Sequence, residues 1–128
     1  MSHITKLALA IKNLNEALAK ETIKALAQQH GLTVSATIRD YYGKQISVLA
    51  GLTGREVRGL GIVKNTDGSF SIIGDDYGQT YKMAAFTQQF QRTYLALAYQ
   101  KAAQALGYRV TMTQTAKGQI AIRAETPF

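Results

Sequence analysis

The sequence predicts an α+β fold, a two-layer sandwich in which two helices cover one face of a mainly antiparallel sheet of five or six strands. Two segments repeat apolar residues at helical spacing, and they end at Gly31 and Gly107. Shorter segments alternate apolar and polar residues, as half-buried strands do. Residues 1–128 suffice for a single domain with one core. The expected order is β-α-β-(β)-β-β-α-β-β, and the bracketed strand, residues 46–49, has the least clear pattern.

The chain begins with a weakly alternating strand over residues 3–11. Asn13 is predicted to cap the first helix, because Glu16, three residues later, completes a capping box. Gly31 ends this helix, since the position after the last turn favours a residue that tolerates positive φ. Residues 32–38 alternate most cleanly of all, which predicts a strand with one buried face and one solvated face.

A hairpin is predicted around the Asp-Gly pair at 67–68, which separates the apolar runs 57–63 and 69–73. Asp-Gly between two such runs is the strongest short hairpin signal. A three-residue loop would pair Ile62 with Ile72 and bury one face. A two-residue loop also fits the sequence, so the register stays open.

The second helix is predicted over residues 83–106 and ends before Gly107. Phe86, Phe90 and Tyr94 lie on its apolar side at a spacing of four residues. This spacing favours core packing over base stacking. The predicted buried stripe also contains Leu97, Ala98 and Ala105, and three further apolar residues widen it: Leu95, Ala102 and Leu106.

The last hairpin has one favoured register. A loop at residues 116–118 places glycine where the chain needs a left-handed conformation. This register pairs Met112 with Ile122 on the buried face. On the other face it pairs Arg109 with Glu125, so we expect Glu125 to neutralise Arg109.

Charge is distributed unevenly along the chain, which has a net charge of +7. Residues 77–124 contain no Asp or Glu but hold six basic residues and seven of the eleven aromatic residues. Such asymmetry indicates an anionic partner. We therefore expect a basic, non-enzymatic binding protein that contacts nucleic acid or a nucleoprotein surface electrostatically. The candidate contacts are Arg92, Lys117, Arg123, Arg109, Lys82 and Lys101.

The polar face of the second helix is rich in glutamine, where a face meant only for solvent usually carries Glu and Lys. A neutral-to-basic glutamine face is compatible with RNA or with protein. The alternative function is therefore a protein-interaction or assembly subunit that contacts another chain or a copy of itself. The glutamines are Gln88, Gln89, Gln100 and Gln104.

The sequence contains no catalytic constellation, and we expect neither enzymatic activity nor a cofactor. The absence of cysteine excludes disulfides, thiolate nucleophiles and zinc ribbons. His30 is explained by its place at a helix C-terminus. Asp75 and Asp76 are adjacent, and neighbours in a strand point to opposite faces. A metal-dependent hydrolase that uses these two carboxylates and His3 is the remote alternative.

Neither glycine-rich segment predicts a phosphate site. Residues 51–55 lack the Lys-Ser/Thr ending of a phosphate-binding loop. Gly59 and Gly61 lie inside a predicted strand rather than between a strand and a helix. They indicate a bulge or a close contact with a helix.

Targeting signals are not evident in the sequence. No apolar run approaches the roughly 18 residues that a membrane span needs. Residues 1–6 lack the charged start, apolar core and cleavage site of a signal peptide. We therefore expect a cytoplasmic protein with no membrane partner.

Several short motifs occur at landmarks of the predicted fold. Residues 1–3 read Met-Ser-His, and residues 91–94 in the second helix read Gln-Arg-Thr-Tyr. Residues 107–108 read Gly-Tyr, and Gly118 lies in the last hairpin. Together they resemble the uncharacterised family of the hypothetical chloroplast reading frame thirty-five, whose members open Met-Ser-His and show the one-residue-shorter Gln-Arg-Tyr. Relatives occur in plastids, cyanobacteria, other bacteria and phages, so the resemblance implies a small stand-alone domain in the plastid stroma or a phage-infected cytoplasm, without an established activity or ligand.

Overall fold

The structure is a computed structural model that describes residues 4–9, 11, 14–40, 42–54, 57–75, 83–114 and 119–125. Within these residues the elements are β1 (Thr5–Ala8), α1 (Glu16–His30), β2 (Thr33–Arg39), β3 (Gln45–Gly54), β4 (Val57–Lys64), β5 (Phe70–Gly74), α2 (Met83–Ala105), β6 (Arg109–Gln114) and β7 (Ile120–Glu125). The predicted α+β class and element order are confirmed, and the bracketed strand is β3.

The strands form two separate antiparallel sheets. One contains five strands in the order β1-β5-β4-β3-β2, and the other is the β6-β7 hairpin. The five-stranded sheet is as predicted, but the last hairpin does not extend it and contacts α2 instead. β5 has β1 on one side and β4 on the other, so β6, which follows α2, has no place beside β5.

Both helices pack on the same face of the five-stranded sheet, as predicted. They contact each other, and a single hydrophobic cluster contains residues from α1, α2 and strands β3 to β5. Among the described residues no helix is both long enough and apolar enough to cross a membrane. The residues at the centre of the cluster are almost completely inaccessible to solvent: Ile23, Leu26, Leu52, Leu60, Ile62, Ile72 and Phe90.

Helix α1 is capped at a different asparagine from the one predicted. Asn15 is the N-cap, and its side-chain oxygen accepts a hydrogen bond from the Leu18 N–H at 3.0 Å. Because the cap is Asn15, Glu16 is the first helical residue and cannot complete a capping box. Asn13 lies outside the described residues. At the other end Gly31 has φ +67 and ends the helix as predicted.

The clean alternation predicted for β2 is interrupted by an irregularity. Ser35 pairs with Gly51, whereas Thr37 pairs with Ser47, so β3 has more residues than β2 in this interval. Such a bulge bends the hairpin. Ile38, which follows the bulge in β2, is fully buried. It lies on the face of the sheet away from the helices, where it contacts Gly51 of β3 and Gly59 of β4.

Two glycines of β4 allow this outer packing. Gly59 has φ +151 and lies under Ile38, and a Cβ atom placed on Gly61 would be 2.9 Å from Val48 Cγ1. The predicted bulge is confirmed, because β4 has one more residue than β3 between the pairs Leu52–Leu60 and Gly54–Val57. The predicted contact with a helix is wrong, since both glycines meet strand side chains. The chain thus covers the outer face of its own sheet at this point.

The hairpin between β4 and β5 adopts the three-residue loop, with Ile62 opposite Ile72. Gly68 supplies the left-handed conformation, with φ +88. Asp67 Oδ1 accepts hydrogen bonds from the Ser69 hydroxyl at 2.6 Å and from the Ser69 N–H at 2.9 Å. These bonds favour the ionised carboxyl, so they hold the pKa of Asp67 below its usual value.

The contact between Gly61 and Val48 is testable by mutation. We expect Gly61→Ala to lower the free energy of unfolding by about 1–3 kcal/mol, because the added methyl group overpacks the space beneath Val48. In a Val48→Ala background the same change should cost clearly less. Urea denaturation of the four proteins measures this coupling. Additive costs would show that the two side chains do not compete for the same space.

Candidate binding surface on the second helix

The predicted basic contacts differ in their electrostatic surroundings. Lys101 Nζ lies 3.3 Å from Glu21 Oε1, so an acidic residue of α1 partly offsets its charge. Arg92 and Arg109 are exposed, and neither forms an ion pair within the described part of the chain. Two of the six candidates lie outside the described residues: Lys82 and Lys117.

The last hairpin has the predicted register but a different ion pair. Met112 lies opposite Ile122, and Arg109 lies opposite Glu125. However, Glu125 Oε1 is 2.6 Å from Arg123 Nε, so the expected neutralisation of Arg109 is wrong. Residues i and i+2 of a strand lie on the same face, which makes Arg123 an equally close neighbour of this carboxylate. Arg109 therefore keeps its charge, and that of Arg123 is offset.

The predicted glutamine face is not uniform. Gln89 Oε1 lies 3.2 Å from His30 Nε2, and this contact joins the end of α1 to α2. Gln89 therefore already has a polar contact within the chain. His30 contacts α2 in addition to lying at the end of α1. Gln100 is half-buried, whereas Gln88 and Gln104 are exposed.

The remote metal site is only partly within the structure. Asp75 follows β5 and is fully buried, whereas His3 and Asp76 lie outside the described residues. In the part of the chain that the structure describes, no group of three or more His, Cys, Asp or Glu side chains is placed to hold a metal ion. A metal-dependent reaction therefore gains no geometric support from these residues.

The aromatic residues of α2 occupy two different environments. Phe86, Phe90 and Tyr94 are buried, as predicted, and the rings of Phe90 and Tyr94 stack with centroids 6.2 Å apart. The Tyr94 hydroxyl accepts a hydrogen bond from the Asn15 N–H at 2.9 Å, which links α2 to the start of α1. Tyr99, by contrast, is 52% exposed.

The predicted widening of the buried stripe is wrong, and so is the place of Ala105 in the stripe, because Ala105 is exposed. Leu95 is 55% exposed, Leu106 is 77% exposed, and Ala102 is also exposed. Together with Tyr99 these residues form what we call the outer stripe of α2: Leu95, Tyr99, Ala102 and Leu106. The stripe is exposed because the rest of the described chain covers α2 mainly over residues 83–96, where most of its buried side chains lie.

Two grooves run between α2 and β7. The first has a volume of about 600 Å³. It is lined on α2 by Arg92, Leu95, Ala96 and Tyr99 and on β7 by Ile120 and Ile122. The second has a volume of about 370 Å³ and includes Tyr99 and Leu106. Since Tyr99 lines both, the grooves adjoin at its ring and follow the outer stripe along the helix.

The hairpin leaves apolar surface beside these grooves. Val110, Met112, Ile120 and Ile122 alternate towards α2, but each is only half-buried. Neither outer edge of the hairpin pairs with another strand among the described residues. A two-stranded sheet with one packed face is only marginally stable by itself in water. The helix and the hairpin therefore expose neighbouring apolar surfaces.

The apolar pattern of the sequence places Leu95 and Leu106 in the core and does not identify the outer stripe as a binding surface. A signal was present, because residues 95, 99, 102 and 106 follow a 4-3-4 spacing that is offset from the spacing of Phe86, Phe90 and Tyr94. Apolar residues on more than one side of a helix require cover on more than one side. The position of the hairpin, which decides how much cover exists, is a tertiary property.

Comparison of the chain with protein-family models, with curated proteins and with solved structures finds no match. The resemblance to the plastid and phage family described above thus stays a prediction.

The two tyrosines of α2 should respond differently to removal of their hydroxyl groups. We expect Tyr94→Phe to lower the free energy of unfolding by about 1 kcal/mol, because the Asn15 N–H loses its acceptor. Tyr99→Phe is the matched control and should leave stability unchanged, since its ring is half exposed. Urea denaturation measures both. Equal costs for the two variants would contradict the assigned environments.

Proposed function

We propose that the protein is a non-enzymatic protein-interaction or assembly subunit, and that its partner binds along the outer stripe of α2. The observation that supports this most strongly is the exposure of Leu95, Tyr99 and Leu106, each more than half accessible to solvent on one side of one helix. Contiguous exposed apolar surface of this kind is typical of interaction sites. An aromatic residue at the middle of the patch is also typical of interface centres.

The spacing of the outer stripe favours a helical partner. Intervals of 4, 3 and 4 residues are those of alternating d and a positions in a coiled coil. The positions that flank the stripe are all small; Ala96 and Ala103 are buried within the chain, whereas Ala98 and Ala105 are accessible, so a second helix could approach closely on their side. These flanking residues are Ala96, Ala98, Ala103 and Ala105.

The ion pairs also favour a protein partner over a polyanion. Lys101 and Arg123 each lie beside a carboxylate, Glu21 and Glu125 respectively. These carboxylates reduce the attraction that the two cations exert on phosphate groups.

A selection experiment tests the proposed surface without a known partner. Displayed helical peptides are selected on the wild-type protein and assayed by fluorescence anisotropy against variants. We expect apolar repeats of three and four residues in the selected peptides, and binding weakened about tenfold or more by Leu95→Gln with Leu106→Gln.

Val34→Gln is the matched control, because Val34 is also an exposed apolar residue, 46% accessible, but lies on β2. It should leave peptide binding unchanged. Peptides whose affinity is insensitive to Leu95 and Leu106 would contradict the proposal.

Electrostatic binding of nucleic acid is the second candidate function. The observation in its favour is that Arg92 and Arg109 are exposed without an ion pair in the described chain, close in sequence to the exposed rings of Tyr99 and Tyr108. Basic groups together with exposed aromatic rings are the elements of single-strand binding. The net charge of +7 would add a non-specific attraction.

Salt dependence tests this second candidate. If single-stranded nucleic acid binds through these arginines, Arg92→Gln and Arg109→Gln should each reduce the slope of log K against log salt by about 0.7. Lys24→Gln is the matched control, since it removes one exposed charge from α1. Binding that does not change between low and physiological salt, or equal effects of all three variants, would contradict electrostatic contact at Arg92 and Arg109.

A further inference from the structure

We infer that the partner on the outer stripe is a second copy of this chain, packed so that the two α2 helices run antiparallel around a twofold axis at Tyr99. This inference rests on the proposed function, because it uses the same surface. It adds the identity of the partner, the direction of the two helices and the residue at their crossing point.

The outer stripe is complementary to itself in this arrangement. A twofold interface requires that each residue faces its counterpart reciprocally. Tyr99 is seven residues from Arg92 and seven from Leu106, so these two face each other across an antiparallel pair centred on Tyr99. Leu95 then faces the small Ala102 of the other copy, and a large side chain opposite a small one allows interdigitation.

Charge also favours the antiparallel direction. The last turn of α2 contains no basic residue, although a helix C-terminus carries partial negative charge. In the antiparallel pair the guanidinium of Arg92 reaches this turn of the other copy, and its aliphatic stem covers Leu106. Arg92 is available for this contact, because it is exposed and has no ion pair within the described residues.

Like-charge repulsion does not oppose this pairing. The two Arg92 residues lie at opposite ends of the interface, about 20 Å apart along the helices. That separation exceeds the Debye length of about 8 Å at physiological salt, so their mutual repulsion is screened. A parallel pair would instead bring the two Arg92 side chains together at one end.

The grooves beside α2 provide room for the second helix. The groove of about 600 Å³ flanks Leu95, and the groove of about 370 Å³ flanks Leu106, so both ends of the stripe adjoin open space on the β7 side. A helix in that position would also cover the half-buried Ile120 and Ile122. The same contact would thus complete the burial of α2 and of the hairpin.

Sedimentation of the 128-residue chain, before and after nuclease treatment and across about three decades of concentration, tests the self-association. The inference predicts a monomer–dimer equilibrium at physiological salt. Leu95→Gln with Leu106→Gln should weaken dimerisation about tenfold or more, whereas Val34→Gln should not. A dimer that persists in the double variant, or that disappears when nucleic acid is removed, would overturn the inference.

Cysteine cross-linking tests the direction of the helices, and it is clean because the chain has no cysteine. A cysteine at the twofold axis lies within disulfide reach of its copy, so Tyr99→Cys should cross-link with itself under mild oxidation. Leu106→Cys should not cross-link with itself but should cross-link with Arg92→Cys in a mixture. Self-cross-linking of Leu106→Cys would indicate a parallel pair and overturn the inference. A wild type that stays monomeric while selected peptides still bind the stripe would also overturn it and leave the proposed function standing.

Discussion

Helix α2 is longer than β1 and β5, the two strands of the five-stranded sheet against which it packs, and the rest of the structure depends on this difference. Its 23 residues extend over about 34 Å, whereas the strands that it contacts, β1 and β5, have four and five residues and extend over about 13–17 Å. The first half of α2 therefore buries Phe90 and Tyr94 in the core, and the Tyr94 hydroxyl links α2 to α1. The second half extends beyond the sheet and needs cover from elsewhere. The β6-β7 hairpin provides that cover on one side only.

The outer face of the sheet and the outer stripe of α2 differ in how far other residues of the chain cover them. On the outer face of the sheet, the bulge in β2 and β3 folds Ile38 and Val48 over Gly59 and Gly61, so part of this face is closed internally. On α2, no described element covers the outer stripe, and its leucines stay exposed. This contrast favours the helix over the sheet as the binding surface. Contacts within the chain, such as that of Gln89 with His30, weaken the predictions of binding through lysine, arginine and glutamine.

Local patterns were sufficient for most of the fold. Gly31 and Gly107 determine the helix ends through positive φ, and the spacing of Phe86, Phe90 and Tyr94 predicts the buried side of α2. Register was predictable in the last hairpin because apolar alternation excludes a one-residue slip. The bulge between β2 and β3 and the separate hairpin depend on how the strands pair, which sequence periodicity does not encode. The N-cap at Asn15 coincides with a tertiary contact, the hydrogen bond from its N–H to the Tyr94 hydroxyl. The candidate surface was missed for the same reason, since Leu95 and Leu106 are apolar whether a core or a partner covers them.

An assembly role accounts for the exposed leucines, the central Tyr99 and the position of Arg92 with one contact, the pairing of two α2 helices. The most direct measurement is a dilution series of the wild-type chain followed by methyl NMR of its leucine and isoleucine residues. Pairing predicts that the resonances of Leu95 and Leu106 shift with concentration, whereas those of the buried Ile23 and Ile62 stay constant. Leucine resonances that do not change over the whole series, or changes confined to β2, would contradict the assignment of the outer stripe as the interface.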